Sequence, residues 1–323
     1  TPPPAAPASP AGRVAPAPRS TSGRVPPTGT TGALRPGRRA PGLVLAVVSA
    51  LAVVAVWWAF VTTRTGQLLE QAAFQGSELG ATRLWLVAEP VLEIISLPFV
   101  ALVLLAAMLL AVVRRRVLLA VQVAVLMAGS NLSTQVLKHG VLDRPDLDVG
   151  DRLANALPSG HTTAAASVSV ALLLVLPPRF RPAAAIVGVV YTCATGISTM
   201  VGQWHRPSDV VAAVLVVGAW AGVAAALGVR ARPRSARPAH GRWGIRAVVG
   251  LLLVGGAVTG AGAFVALQRS LDHLADGQEL ASRADLLTAY GGGALGVVTA
   301  ACLVVALVLV VLDVTEPRRV LPS

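Results

Sequence analysis

The sequence predicts an all-α fold, a polytopic bundle of membrane helices, from three observations. Of the 323 residues, 54% are apolar and only 13% are charged, a composition too apolar for an ordinary soluble domain. Eight apolar runs each approach the ~20 residues that a helix needs to cross a bilayer. Arginines flank these runs, as they do in membrane proteins. We therefore attribute the net charge of +12 to membrane flanks and expect no binding of nucleic acid.

The apolar runs also predict how the chain is organised. Residues 1–41 are rich in proline, alanine and arginine, and we expect a disordered cytoplasmic tail there. Residues 42–229 would form a six-span core, 230–247 a basic cytoplasmic linker, 248–312 two further transmembrane helices, and 313–323 a second cytoplasmic tail. The expected spans are Gly42–Val61, Val91–Val113, Val117–Leu137, Thr162–Leu176, Ala183–Val201, Val210–Val229, Val248–Leu267 and Leu287–Leu312.

Two other features belong to this framework. The mixed segment 62–89 is expected to form an amphipathic helix along the membrane interface. Cys193 and Cys302 both fall inside apolar runs, so we expect neither a disulfide framework nor a zinc site.

The arginines predict the orientation of the bundle. With a cytoplasmic N-terminus, 19 of the 27 basic residues lie in the tails and inner loops, and 8 lie outside. Short inner loops of membrane proteins carry this excess of Lys and Arg. We therefore expect a multi-pass protein of the cell membrane with both termini in the cytoplasm.

Three polar clusters fall in outer loops of this topology. The first runs from Lys138 to Pro145 and includes Arg144, the second is Pro158-Ser159-Gly160-His161, and the third includes His205 and Asp209. Charge beside a bilayer is costly, so three such clusters on one face favour a functional site.

The second cluster precedes a predicted helix, whose N-terminal N–H groups and dipole would bind an anion. Gly160 allows the ligand to approach the backbone, the Ser159 hydroxyl adds a donor, and His161 is placed to protonate a leaving oxygen. An N-cap serine followed by an incidental interfacial histidine fits this cluster equally well by itself.

The other two clusters also admit a simpler interpretation. Asp209 stands four residues after His205 and can hold one ring nitrogen, which leaves the other as a nucleophile or base. Alone, Asp209 would only stabilise a helix dipole. Lys138 and Arg144 would neutralise a phosphate, or else be a snorkelling lysine and a solvated arginine. Because all three clusters fall on the same membrane face, we favour a catalytic site over these simpler interpretations.

In their order and residues the clusters resemble the type 2 phosphatidic acid phosphatase superfamily, the membrane lipid phosphate phosphatases, over roughly Val91 to Val229. The resemblance implies that His205 is a nucleophile that forms a phosphohistidine, that Asp209 orients it, and that His161 is the general acid. It assigns the phosphate oxygens to Lys138, Arg144, Ser159 and Gly160, and it implies no metal and no other cofactor.

The sequence departs from the family pattern at two positions. Five residues separate Lys138 from Arg144, where the family usually has six, and a turn at Gly140 would absorb the difference. Thr199 follows Ser198 where the family has an arginine, so one phosphate-binding cation is missing unless Arg206 or Arg152 replaces it. The two C-terminal helices lie outside the resemblance.

The sequence therefore predicts a metal-independent membrane hydrolase for a lipid phosphate or polyprenyl (pyro)phosphate, acting at the outer face. The alternative is a catalytically weakened relative that binds or moves an anionic lipid. A transporter is disfavoured, because no predicted span carries a charge pair deep in the bilayer. Neither the particular lipid nor the oligomeric state follows from the residues.

Overall fold

The computed structural model describes residues 39–94, 102, 105, 117–150, 154–228 and 239–315, without the side chains of 80–94 and 239–243. Within these residues the chain is helical and contains no strand, which confirms the predicted all-α bundle. The helices are α1 (Ala40–Val56), α2 (Arg64–Ile94), α3 (Val117–Val136), α4 (Gly160–Val175), α5 (Arg181–Val201), α6 (Pro207–Leu227), α7 (Ala239–Ala275) and α8 (Arg283–Thr315). Wider π-helical turns extend α1 over Trp57–Val61 and α3 over Leu137–Val141.

Six helical segments in the described part are long and apolar enough to cross a membrane: Ala40–Val61, Val117–Val141, Arg181–Val201, Pro207–Leu227, Gly244–Ala275 and Arg283–Thr315. They match six of the eight expected spans. Helix α4 is also apolar but has only 16 residues. Most of the run Val91–Val113, most of both predicted tails and half of the basic linker lie outside the described residues. The six segments indicate a multi-pass membrane protein.

Helix α6 occupies the middle of the bundle, where it packs against α1, α3, α4 and α8. Its small and β-branched side chains fit this position, since Val210, Ala213 and Val217 are fully buried. Backbone meets backbone where α6 crosses α1, because a methyl group at Gly222 would lie 2.4 Å from the carbonyl oxygen of Gly42. Helix α6 is thus held on several sides, and its first turn is held with it.

The mixed segment 62–89 is helical, as its sequence predicts, and belongs to α2. This helix packs against α5 and α8, and several of its residues from Gln67 to Ser77 are buried. Helix α8 contacts α2, α5 and α6, so the C-terminal hairpin of α7 and α8 is part of the same bundle. Both α2 and α8 therefore lie beside the segment that carries the third polar cluster.

Candidate active site

Near the start of α6, His205 and Asp209 are in contact, and His161 lies close by. Pro207 occupies the first turn, which suits its fixed φ and its missing N–H group. One turn of helix brings Asp209 back to His205, with 3.2 Å between Oδ2 of Asp209 and Nδ1 of His205. The same oxygen accepts a hydrogen bond of 2.9 Å from the backbone N–H of Arg206. Asp209 thus orients the imidazole while it caps the helix.

The second cluster joins the third through the backbone. The N–H of Ser159 donates to the carbonyl oxygen of Asp209 over 2.9 Å. The hydroxyl of Ser159 is the N-cap of α4, where its oxygen accepts from the N–H of Thr162 at 3.4 Å and from its hydroxyl at 3.0 Å. Ser159 is therefore an N-cap residue, and its backbone bond to Asp209 holds the N-terminus of α4 beside α6.

His161 lies in the first turn of α4, before the apolar run of that helix. Its ring is 5.3 Å from the ring of Trp204, the residue preceding His205. Burial lowers the pKa of His161, and the nearby His205 and Lys138 lower it further. These interactions bring the predicted acid, the predicted nucleophile and the lysine of the first cluster within electrostatic range of one another.

Arg144 of the first cluster reaches the same region. Burial lowers the pKa of its guanidinium, as does the charge of Arg206, whereas Glu70 and Asp209 oppose the shift. Among the described residues, the buried Nη2 of Arg144 has no hydrogen-bond partner. A donor in that state is suited to an anionic oxygen.

The structure describes both places where the sequence departs from the family pattern. Thr199 is fully buried, and its hydroxyl donates to the carbonyl oxygen of Gly196 over 2.7 Å. Arg206 is 4% exposed and is within electrostatic range of Arg144. Gly140, between Lys138 and Arg144, lies in the π-helical turn that ends α3, where a methyl group would meet no described atom within 4 Å. Arg152 lies outside the described residues.

One buried carboxyl group, on α2, had no predicted role. Glu70 is 4% exposed and accepts a hydrogen bond of 2.7 Å from the hydroxyl of Ser208. Burial and the charge of Asp209 raise the pKa of Glu70 to about 8, although Ser208 and Arg206 act in the opposite direction. The available signal was the helical spacing of Gln67, Glu70 and Phe74 within a segment of mixed polarity.

A helical membrane bundle that gathers cations, a histidine pair and a helix N-terminus has the features of a site for phosphate chemistry. Residues 119–233 match the model of the PAP2 superfamily, which confirms the resemblance of the polar clusters to that superfamily. A match to this superfamily indicates phosphatase activity on phosphate esters. All three polar clusters lie inside the match, whereas α2 and α8 lie outside it. No curated protein and no solved structure matches the chain.

Proposed function

We propose that the protein is an integral membrane phosphatase that hydrolyses a lipid phosphate or a polyprenyl (pyro)phosphate through a phosphohistidine. The observation that carries this proposal is the bond between His205 and Asp209 near a second histidine, His161. A neutral His205 whose Nδ1 carries the proton donates to Asp209, and its Nε2 keeps the lone pair that attack on phosphorus requires. A protein that only binds lipid would need neither histidine.

The proposed reaction has two steps. In the first, Nε2 of His205 bonds to phosphorus, the bond from phosphorus to the ester oxygen breaks, and His161 gives its proton to that oxygen. In the second, water attacks the phosphohistidine, His161 takes a proton from the water, and the bond from phosphorus to nitrogen breaks. The products are inorganic phosphate and the alcohol, or inorganic phosphate and the polyprenyl phosphate where the substrate is a polyprenyl pyrophosphate.

Lys138, Arg144 and the N-terminus of α4 would hold the phosphate oxygens. Arg144 supports this assignment, because its Nη2 is buried and lacks a partner among the described residues. Gly160 leaves the backbone N–H groups of the first turn accessible, since the one described atom within 4 Å of a methyl group there would be Nε2 of Gln135, at 3.7 Å. Ser159 would act chiefly by holding this turn in place.

Arg206 is the residue that we propose as the substitute for the family arginine. It follows the nucleophile directly, and its guanidinium carbon lies 5.6 Å from the centre of the Phe74 ring, a cation–π contact that orients it. The alternative function, a weakened relative that binds or moves an anionic lipid, is favoured by Thr199, whose buried hydroxyl is engaged with Gly196.

The excess of arginine in the predicted inner loops supports an active site on the outer face of the cell membrane. The 54% apolar composition and the flanking helices support a substrate that enters with its chain in the bilayer. No metal is proposed in the reaction, because the cations and the helix terminus supply the positive charge.

Phosphate release from a panel of substrates tests the proposal. The purified protein is given diacyl phosphates, polyprenyl phosphates and polyprenyl pyrophosphates, each beside the His205→Ala variant. The proposal predicts release by the natural protein from at least one class and none by the variant. Binding of these lipids without release would favour the alternative, whereas equal release by both proteins would exclude His205 as the nucleophile.

A further inference from the structure

The contact between α2 and the first turn of α6 is made by a carboxyl group. Both oxygens of Glu70 face Ser208, whose backbone N–H lies 3.3 Å from Oε1 and 3.4 Å from Oε2. The Ser208 hydroxyl donates to Oε2 over 2.7 Å. Ser208 therefore directs its side chain toward α2, and Glu70 caps α6 from a different helix.

This cap acts on the residues that would perform the chemistry. The first N–H groups of a helix have no partner within it, and Ser208 carries one of them. Its neighbour Asp209 is already engaged with His205 and with the N–H of Arg206. Because Ser208 lies between Arg206 and Asp209, a shift of its backbone would move the guanidinium and the histidine pair together.

Helix α2 also forms hydrogen bonds to the loop of the first polar cluster and to the segment before His205. Nε2 of Gln67 donates to the carbonyl oxygen of Pro145, next to Arg144, over 2.9 Å. Nε2 of Gln203 donates to the carbonyl oxygen of Phe74 over 3.0 Å. Helix α2 thus contacts the loop of the first cluster and both sides of the nucleophile.

Packing alone does not account for a carboxyl group at this position. Burying an acid costs free energy that an apolar side chain of the same size would avoid. The charged groups that face Glu70 are Asp209 and Arg206 from α6 and Arg144 from the loop after α3. A buried acid among these groups adjusts the charge of the region that would bind phosphate.

We propose that Glu70 is a positioning residue for phosphate binding: through Ser208 it holds the first turn of α6, and with it Arg206, His205 and Asp209. This inference rests on the proposed function. With a pKa of about 8, the carboxyl is mostly protonated at neutral pH and does not offset the arginines. Above that pH it ionises and weakens the attraction between the site and a phosphate dianion.

The test uses the full-length protein in detergent with dioctanoyl phosphatidic acid as substrate. Glu70→Ala removes both acceptors, and we expect kcat/KM to fall by about 100-fold, because small displacements of reacting groups have effects of that order. Glu70→Gln keeps the size and an acceptor and should recover most of that loss at pH 7. Glu78→Ala and Glu78→Gln are the matched controls, since Glu78 is exposed on the same helix, and both should behave as the natural protein does.

The pH profile separates a positioning role from a purely structural one. We expect the KM of the natural protein to rise between pH 7 and pH 9 relative to that of Glu70→Gln, by roughly 10-fold for one buried charge near the ligand. Titration of the substrate cancels in this ratio. If the ratio stays constant, or if folded Glu70→Ala keeps more than half of the natural kcat/KM, the proposal is wrong.

Binding of inorganic phosphate, measured by thermal shift, keeps the proposal testable without turnover. Loss of phosphate affinity in Glu70→Ala with an inactive natural protein would refute the proposed phosphatase and support the role of Glu70. Unchanged affinity would refute the role of Glu70. If Glu70→Ala does not fold, Ser208→Ala replaces it, since that change removes the 2.7 Å bond and leaves the backbone bonds. It should lower kcat/KM by roughly 5-fold, the value of one hydrogen bond between neutral groups, and an unchanged value would refute the proposal.

Discussion

Replacement of Gly293 on α8 by alanine should impair the active site, because the added methyl group would press against the first residue of α6. The new Cβ would lie 2.5 Å from Cγ and 2.8 Å from Cβ of Pro207, the first residue of α6. Carbon atoms pack at about 3.5–4 Å, so one of the two helices must move by roughly 1 Å. Pro207 follows Arg206 directly and lies two residues from His205, so this movement reaches the proposed nucleophile.

The expected effect on activity is much larger than the effect on stability. Overpacking costs about 1–3 kcal/mol of unfolding free energy. Alanine regains about 1 kcal/mol over glycine inside a helix, so the net loss is roughly 0–2 kcal/mol. A displacement of about 1 Å at reacting groups, in contrast, can lower the rate by about 100-fold. Gly293→Ala should therefore melt near the natural protein and yet hydrolyse substrate far more slowly.

Two neighbouring glycines supply the controls for this assay of kcat/KM and melting temperature. A methyl group at Gly296 would meet no described atom within 4 Å, so Gly296→Ala should keep full activity. A methyl group at Gly292 would lie 2.6 Å from Cβ of Ala266 on α7, so Gly292→Ala should change the melting temperature about as much as Gly293→Ala does, with less effect on activity. The prediction is wrong if Gly293→Ala and Gly296→Ala have equal kcat/KM. It is also wrong if Gly292→Ala loses as much kcat/KM as Gly293→Ala does.

Three further predictions follow from the site and the topology. His161→Ala should slow the hydrolysis of alkyl phosphates much more than that of aryl phosphates. Burial lowers the pKa of His161, and a general acid must be protonated, so kcat/KM of the natural protein for alkyl substrates should fall as pH rises through that lowered pKa, a decline that the variant should lack. Arg206→Ala should raise KM by about 10- to 100-fold, the range for a charge-assisted hydrogen bond, and an unchanged KM would exclude Arg206 as the substitute cation. A cysteine at exposed Ala154 should react with an impermeant thiol reagent in intact cells, whereas one at exposed Pro177 should be protected, and the reverse pattern would invert the topology.

The sequence predicted the helical architecture because that part of the problem is local. Apolar runs such as 183–201 and 210–229 have the length of a helix that spans a bilayer. The structure has helices Arg181–Val201 and Pro207–Leu227 there. The spacing of His205 and Asp209 is also a local signal, since four residues bring two side chains onto one helix face. The structure places them 3.2 Å apart.

The contacts from outside the family segment could not be predicted in the same way. Glu70 and Ser208 are 138 residues apart, and no pattern within α2 indicates which helix it faces. Gly293 is one of many glycines in the C-terminal helices, and only the packing shows that it lies against Pro207. Thr199 was recognised as a departure, but its burial and its bond to Gly196 depend on the tertiary structure.

Trapping of a phosphohistidine during turnover tests the proposed function most directly. The natural protein is mixed with a lipid substrate that carries radiolabelled phosphate, turnover is stopped with alkali, and the protein is separated from the lipid. We expect a label on the protein that is stable to alkali, is released by acid and maps to His205. The His205→Ala protein should carry no label and release no phosphate. Hydrolysis by His205→Ala, or a label on any other residue, would exclude His205 as the nucleophile.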